Sequence, residues 1–191
     1  MASEEVKVVT FWASPYGLRA EFALTAKGVP YQRLLEPLPE SLLIIEYVDD
    51  VWPSPHEKHL LPPDPYDRAM ARFWSDSAEK KLNSALKSIL LTKGDMQKAA
   101  VEEALSCISI LEGVLERASS SKDAPFFGGD PLLCGHAYEM MGDFKFELEE
   151  NYPHMHTWYQ ALRTSSVAAC MPDSDKLLEF VLGLRKMVCP E

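Results

Sequence analysis

The spacing of apolar residues over the first 35 positions predicts a strand, a helix and a second strand. β-branched and aromatic residues run from Val6 to Phe11, and Ser14-Pro15 ends the run. Ser14 suits a helix N-cap, because its side chain can accept a backbone N–H, and Pro15 suits the first helical position. Helical spacing continues to Gly28, a residue type that favours the end of a helix. Tyr31 to Leu35 completes a strand–helix–strand unit with parallel strands.

From residue 40 onwards the apolar spacing predicts helices. A short helix covers 40–51, and the segment 52–63, with four prolines, is expected to be a linker. Asp64-Pro65 begins a long helix whose aromatic residues Tyr66, Phe73 and Trp74 are expected in the core. Lys93-Gly94-Asp95 separates it from the next helix. Two more helices are expected at 153–168 and 173–188, and a helix without a clean period between 130 and 151.

Composition and charge indicate that neither nucleic acid nor a membrane is an expected partner. The chain has 191 residues, 47% apolar and 25% charged, as in soluble globular proteins. Its net charge is -10 and no basic patch is visible, so nucleic acid is not an expected partner. No apolar run is long enough to cross a membrane, and the first residues do not resemble a secretory signal. We therefore expect no membrane partner.

The cysteines and histidines suggest neither a disulfide framework nor a metal site. Four cysteines are widely spaced, form no CxxC motif, and accompany eight methionines. This usage is typical of a reducing compartment, so a cytoplasmic location is expected. His154 and His156 are two positions apart and would point to different faces of a helix, which makes a poor metal pair.

The candidate chemistry lies at the junction of the first strand and the first helix, around Ser14. A hydroxyl at a helix N-terminus sees free N–H groups and the positive end of the helix dipole, and both favour an anion such as a thiolate. The alternative from local sequence is that Ser14 only caps the helix. Ser-Pro helix starts are common, so the local sequence alone favours the cap.

At this motif, Phe11-Trp12-Ala13-Ser14-Pro15-Tyr16, the sequence resembles a plant tau-class glutathione transferase. The similarity covers most of the chain. Its other motifs are Ala26-Lys27-Gly28-Val29-Pro30-Tyr31, the run Glu40 to Asp49 before Trp52, Leu61 to Ala69, Ala71-Arg72-Phe73-Trp74, Lys80-Lys81, Phe126-Phe127-Gly128-Gly129, and Met171-Pro172 to Lys186.

The resemblance implies a glutathione transferase fold of class α+β/α. A truncated thioredoxin-like N-terminal unit (1–52) would be followed by the linker (53–63) and an all-helical domain (64–191). Such enzymes add the glutathione thiolate to apolar electrophiles, in detoxification and the stress response. Glutathione would be the co-substrate, with no further cofactor and no metal. The family is dimeric, so a homodimer is an expected assembly.

The resemblance also assigns site residues. Ser14 would be the catalytic residue, donating a hydrogen bond to the glutathione thiolate. Glutathione would be bound by Ser14, Pro15, Glu40 and Ser41, the last two holding its γ-glutamyl end. The electrophile pocket would be lined by Phe11, Pro15, Asn83, Lys87, Leu90, Phe180 and Leu184. Family members often carry larger or aromatic groups at the positions of Asn83 and Leu90.

The sequence departs from the family pattern in two places. Only Glu36 to Pro39 separates the second strand from the Glu40-Ser41 helix, where the family has a helix and a β-hairpin with a cis-proline whose neighbour pairs with the glutathione backbone. The region after Gly129 also lacks the family's Ser/Thr-x-x-Asp capping box, for which Asp130-Pro131 is the candidate substitute. These departures favour an alternative: a non-catalytic ligand-binding or regulatory relative with a broken glutathione site.

Overall fold

The computed structural model describes residues 6–34, 41–52, 59–118 and 142–190. Strand β1 (Val6–Val9) pairs in parallel with β2 (Tyr31–Leu34), in a register that places Val6 opposite Tyr31 and Val9 opposite Leu34. Both predicted strands and their parallel pairing are confirmed. β1 ends before the predicted Phe11, because Thr10 makes its last backbone bond to Leu34 and a turn follows. Among the described residues this two-stranded sheet is the whole β structure.

Helix α1 (Pro15–Ala26) connects the two strands and is capped as the sequence predicts. Ser14 is its N-cap, Pro15 is the first helical residue, and Gly28 adopts a left-handed φ of 67° after the C-cap Lys27. The middle of α1 is buried without interruption from Gly17 to Leu24. α1 is therefore the central element around which the first unit is built.

Helix α2 (Ser41–Val51) packs against α1. Val48 is buried, and Ile44 and Ile45 pack against the same small core as Val8 and Leu24. Only six residues, 35–40, lie between the end of β2 and the start of α2.

The remaining elements are helical. They are α3 (Pro65–Ser77), a π-helix (Ala78–Leu82), α4 (Asn83–Leu91), α5 (Gly94–Ala118), α6 (Leu148–Asn151), α7 (Pro153–Thr164), a 3₁₀ helix (Ser166–Cys170) and α8 (Ser174–Val188). Their main core is formed by buried residues of α4, α5 and α7 together with Leu82 and Phe146. In the sequence this region reads as helix, but the π turn is not visible there.

Three expectations for the helical part are wrong or only partly testable. Tyr66 and Phe73 were expected in the core but are 72% and 57% exposed, because the inward position of α3 is taken by the small residue Ala71. The helix expected at 153–168 ends at Thr164, where Ser165 adopts an extended conformation. Of the helix expected between 130 and 151, the described residues contain α6. Most of the rest of that range and the Asp130-Pro131 cap lie outside the described residues.

The chain forms two compact units. Within the described residues the first unit comprises 6–34, 41–52, 59–72 and 161–172, and the second comprises 73–118, 142–160 and 173–190. The first unit thus includes the 3₁₀ helix as well as the strands. The boundaries inferred from the sequence, with a linker at 53–63, stay a prediction. No described helix is long and apolar enough to span a membrane.

Candidate functional site

The hydroxyl of Ser14 lies at the first turn of α1. Ser14 has extended backbone angles (φ −83°, ψ 117°), and its Oγ accepts a hydrogen bond from the backbone N–H of Gly17 at 3.3 Å. A hydroxyl that accepts one hydrogen bond still has its own proton to donate. The helix N-terminus adds a partial positive charge. This corner of the first unit is therefore suited to stabilising an anion next to Ser14.

Two residues expected in the electrophile pocket, Phe11 and Pro15, lie within three positions of Ser14 in the chain. Pro15 occupies the first helical position and is half-buried, so it contributes an apolar surface and no N–H. Phe11 is 39% exposed, and its ring lies 5.7 Å from that of Trp12. Together they give the Ser14 corner an aromatic and apolar border.

Arg19 links α1 to the first residue of α2. Its Nη1 donates a hydrogen bond to Ser41 Oγ at 3.3 Å, and both residues are 5% exposed. The guanidinium also lies over the Tyr16 ring, 5.6 Å from its centroid, within the range of cation–π attraction. Ser14 and Ser41 therefore lie in one unit, with Arg19 tying their two helices together. Glu40, the other predicted anchor, lies outside the described residues.

A buried ion pair joins the other ends of these helices. Lys27 Nζ lies 2.6 Å from Asp49 Oδ1, and the two side chains are 1% and 5% exposed. The Asp49 carboxylate also accepts the backbone N–H groups of Leu60 (2.8 Å) and Leu61 (3.1 Å). Burial alone would raise the pKa of Asp49, but the Lys27 hydrogen bond, the two N–H donors and the Lys27 charge bring it below its ordinary value. The pair thus holds α1, α2 and the following segment in a fixed arrangement.

A second buried polar cluster surrounds Glu21, which is 2% exposed. Its carboxylate accepts hydrogen bonds from the Tyr31 hydroxyl at 3.1 Å and from Arg33. Cys170 Sγ lies 3.5 Å from the Tyr31 hydroxyl and 3.0 Å from Thr25 Oγ1. Burial, assisted by the hydrogen bond with Cys170, raises the pKa of Tyr31 well above its ordinary value. Tyr31 therefore stays protonated at neutral pH, and the cluster attaches the 3₁₀ helix to α1.

The sequence interpretation missed Arg19 and the Glu21 cluster. One signal was present: Arg19 and Glu21 stand among the apolar residues of α1, and buried charges normally have partners. This signal predicts that the two charged side chains are buried and paired. It does not identify the contacts, because the partners of Arg19 and of Cys170 are distant in the sequence.

A cleft of about 460 Å³ lies between α2 and α3 in the first unit. Three of its charged side chains have ion-pair partners: Arg72 makes a two-pronged contact with Glu46 at 2.7 and 2.9 Å, and Asp49 is paired with Lys27. The cleft includes neither Ser14 nor Ser41. It is therefore separate from the residues assigned to glutathione.

The other residues expected around the electrophile belong to the second unit. Asn83, Lys87 and Leu90 are spaced i, i+4, i+7 on α4, while their neighbours Leu86 and Ile89 are buried in the core. Phe180 and Leu184 lie one turn apart on α8, and both are partly exposed. These five side chains, two polar and three apolar, therefore lie on helix surfaces that the hydrophobic core does not bury completely.

Arg185 joins α4 to α8 close to these residues. Its Nη1 donates to the carbonyl of Ile89 at 2.7 Å and also to the carbonyl of Leu90. Since Arg185 follows Leu184 in the chain, this contact brings the α4 and α8 positions into one region of the second unit. Phe11 and Pro15 belong to the first unit.

No metal centre is found within the part of the chain that the structure describes: no group of three or more His, Cys, Asp or Glu side chains lies close enough to hold an ion.

The backbone N–H groups of His154 and Met155 donate hydrogen bonds to the carboxylate of Glu112 at 2.9 and 2.8 Å, which caps α7. Burial raises the pKa of the Cys107 thiol on α5, which disfavours the reactive thiolate form.

Curated proteins of similar sequence are plant glutathione transferases, although no protein-family model matches the chain. The chain is 35% identical to the probable glutathione S-transferase parC of Nicotiana tabacum, over 97% of the chain and 98% of the relative. It is 33% identical to glutathione S-transferase U19 of Arabidopsis thaliana, over 99% and 100%. The tobacco alignment has 225 positions and the chain has 191 residues, so at least 34 positions have no counterpart in this chain.

Solved structures give the same result. The tau-class glutathione S-transferase of mango (Mangifera indica) matches with a TM-score of 0.81 and 30% identity, over 96% of this chain and 100% of that one. The rice enzyme OsGSTU1, solved in complex with glutathione, matches with a TM-score of 0.77 and 29% identity, over 96% and 97%. The fold is thus shared with both structures.

Proposed function

The chain belongs to the tau-class glutathione S-transferases, and from this membership we propose that it adds the glutathione thiolate to apolar electrophiles, with Ser14 as the catalytic residue. The glutathione transferase fold and the expected class are confirmed by the relatives. The choice of electrophile and the role of each residue are our proposal. One observation carries it: the Ser14 hydroxyl at the N-terminus of α1, with a proton to donate.

In this mechanism Ser14 stabilises the ionised sulfur of glutathione. The hydroxyl donates to the thiolate while its oxygen keeps the Gly17 N–H, and the N-terminus of α1 adds its dipole. Each tenfold gain in the thiolate fraction corresponds to about 1.4 kcal/mol of preference for the charged form. A larger thiolate fraction at neutral pH increases the concentration of the attacking nucleophile.

Glu40 and Ser41 are proposed to hold the γ-glutamyl end of glutathione, with Pro15 packing beside the thiol. The carboxylate of Glu40 would accept from the γ-glutamyl ammonium group, and Ser41 would donate to its carboxylate. The hydrogen bond from Arg19 to Ser41 Oγ supports this assignment, because it fixes the orientation of the serine hydroxyl. Arg19 is then a positioning residue.

The electrophile is proposed to contact the set that the resemblance assigns, which is Phe11 and Pro15 together with Asn83, Lys87, Leu90, Phe180 and Leu184. Five of these seven side chains are apolar, which suits an apolar compound. We further propose that the protein acts in the cytoplasm as a homodimer that takes part in detoxification, with glutathione as its co-substrate and no other cofactor. Leu43, Tyr47 and Val51 form an exposed apolar row on α2 that is available for a second copy.

The test is conjugation of glutathione to 1-chloro-2,4-dinitrobenzene by the purified chain and by Ser14→Ala. The thiolate adds to the ring carbon and chloride leaves, so absorbance reports the product directly. We expect Ser14→Ala to lower kcat by about 10²–10³ and to change glutathione affinity much less, because the hydroxyl contacts the sulfur alone. A variant as fast as the parent at neutral pH would mean that Ser14 is only a helix cap.

A second candidate is a non-catalytic relative that binds apolar ligands. It is favoured by the short connection between β2 and α2. The family has a helix and a β-hairpin at this place, and a parallel crossover alone needs a dozen residues or more, whereas this chain has six residues there. Under this hypothesis the chain would not be retained on immobilised glutathione and would show no conjugation. Retention with turnover would exclude it.

A further inference from the structure

Asn83 is the first residue of α4 and directly follows the π-helix that joins α3 to α4. Its backbone N–H donates to the carbonyl of Ala78, five residues earlier, so the turn Ala78–Leu82 is a π turn between α3 and α4. Leu82, the last residue of that turn, is fully buried in the core, whereas Asn83 is only partly buried. The wide turn thus leaves Asn83 at the edge of the core, and such turns often occur at functional positions.

The Glu79 carboxylate determines which way the Asn83 amide faces. Asn83 Nδ2 donates to Glu79 Oε2 at 2.9 Å. An ionised carboxylate only accepts hydrogen bonds, so the NH₂ end of the amide must face it. The carbonyl oxygen Oδ1 is then held on the opposite side of the amide, where it can only act as an acceptor. Glu79 therefore fixes the chemical character that Asn83 presents to its surroundings.

Asn83 shares its helix face with other residues assigned to the electrophile. Lys87 and Leu90 follow at i+4 and i+7 on α4, and both are at least partly exposed. In a mostly apolar site, a few fixed polar groups decide which ligands are preferred. A single oriented acceptor on this face would discriminate between electrophiles that have a hydrogen-bond donor and those that lack one.

We propose that Asn83 is a specificity-determining residue and that Glu79 positions it. Asn83 Oδ1 accepts a hydrogen bond from a hydroxyl or N–H group of the electrophile, so the enzyme prefers electrophiles with a donor remote from the reacting atom. This inference rests on the proposed function, since Asn83 acts on an electrophile only if the chain conjugates one.

The test compares phenethyl isothiocyanate with 4-hydroxyphenethyl isothiocyanate. In both, the glutathione sulfur adds to the central carbon and a proton goes to the nitrogen, which gives a dithiocarbamate with no leaving group. The hydroxyl is far from this carbon, so uncatalysed rates, which are subtracted, should be similar. We expect the parent to prefer the hydroxylated compound by about 2- to 10-fold in kcat/KM, the value of one net hydrogen bond. The difference should lie in KM, because the bond is present equally in the ground and transition states.

Asn83→Leu and Asn83→Ala should remove the preference, so that the ratio of kcat/KM for the two compounds falls to about one. Glu79→Gln should reduce it with kcat unchanged, because a glutamine can both donate and accept and no longer fixes the amide. Ser84→Ala, an exposed change at the adjacent position, is the control and should keep the preference of the parent. Thermal unfolding of each variant checks that it is folded.

The possible outcomes separate the two levels of the proposal. If the parent conjugates neither compound, both the proposed function and this inference fail. If it conjugates the two equally, or if both Asn83 variants keep the preference, only the role of Asn83 is overturned. A preference lost in the Asn83 variants and unchanged in Glu79→Gln would overturn the positioning role of Glu79.

Discussion

At the residue scale, the Lys27–Asp49 pair provides the clearest prediction. Both side chains are almost fully buried, and each oxygen of the Asp49 carboxylate also accepts one backbone N–H group. We expect Asp49→Asn to lower the free energy of unfolding by about 3–5 kcal/mol at neutral pH, since a buried lysine would lose its counter-charge. Chemical denaturation measures this directly.

The same residue predicts a pH dependence. The pKa of Asp49 is lower in the folded protein than its ordinary value of 3.8, so the unfolded chain binds more protons at acidic pH. The stabilisation is therefore complete above about pH 5 and is lost as the pH falls through the folded pKa. The stability difference between parent and Asp49→Asn should shrink on acidification. Lys27→Met/Asp49→Leu is the matched control and should recover part of the loss. A parent and a single variant that are equally stable at pH 7 would contradict the prediction.

Local signals explain what could be predicted for single residues. The Ser14 cap and Gly28 at the end of α1 are each determined by neighbours within a few positions, and the structure confirms both. The bond from Arg19 to Ser41 joins residues 22 positions apart, and it exists only because α2 packs on α1. Periodicity also could not tell which apolar residues of α3 face outward, and Tyr66 and Phe73 were therefore misplaced.

At the scale of elements, the contact between β1 and α1 depends on a glycine. A Cβ added to Gly17 would lie 1.4 Å from Thr10 Oγ1, so the start of α1 can approach the end of β1 this closely only without a side chain. We expect Gly17→Ala to destabilise the protein by about 1–3 kcal/mol, because the overlap outweighs the better helix propensity of alanine. A lower Tm in thermal unfolding is the readout.

Gly183 in α8 is the matched control for this substitution. A Cβ there would meet no heavy atom within 4 Å, so Gly183→Ala should stabilise the protein by about 0.5–1 kcal/mol through helix propensity alone. Opposite signs for the two glycines would show that packing decides the outcome at Gly17. If both substitutions raised Tm, the close approach of α1 to β1 would be excluded.

Whole elements could be predicted where their pattern is long or their boundaries are marked. α1, α2 and α8 have strong periodicity, and caps, prolines or glycines mark their limits, so the expected and observed ranges agree closely. The π turn could not be predicted, because the spacing from Trp74 to Leu82 fits a helix whether or not it contains one extra residue. That turn carries Asn83, the residue proposed above to select the electrophile, and it is the element that the sequence predicts least well.

At the scale of the whole molecule, the chain is shorter than its relatives and has a small sheet. At least 34 positions of the tobacco alignment have no counterpart here, while the family fold is recognisable over nearly the entire chain. The sequence resemblance could predict both the fold and the short connection before Glu40. A sheet of two strands gives little independent stability, since three are usually needed, so the first unit relies on the packing of α1 and α2 in its small hydrophobic core and on its buried polar contacts.

The short connection predicts weak glutathione binding. The chain retains Ser14 and Ser41, but it lacks the segment that in the family pairs with the middle of the peptide. Two lost backbone hydrogen bonds, each contributing roughly 0.5–1.5 kcal/mol net, weaken binding by about one to two factors of ten. We expect that inserting the corresponding segment of a tau-class relative between Pro39 and Glu40 strengthens glutathione binding by this amount, as measured by titration calorimetry. A Gly/Ser segment of equal length at the same place is the control and should give no gain, because it lengthens the chain without supplying a paired strand. Tight binding by the chain without the insertion, and unchanged by it, would show that Ser14, Ser41 and their surroundings are sufficient to hold the peptide.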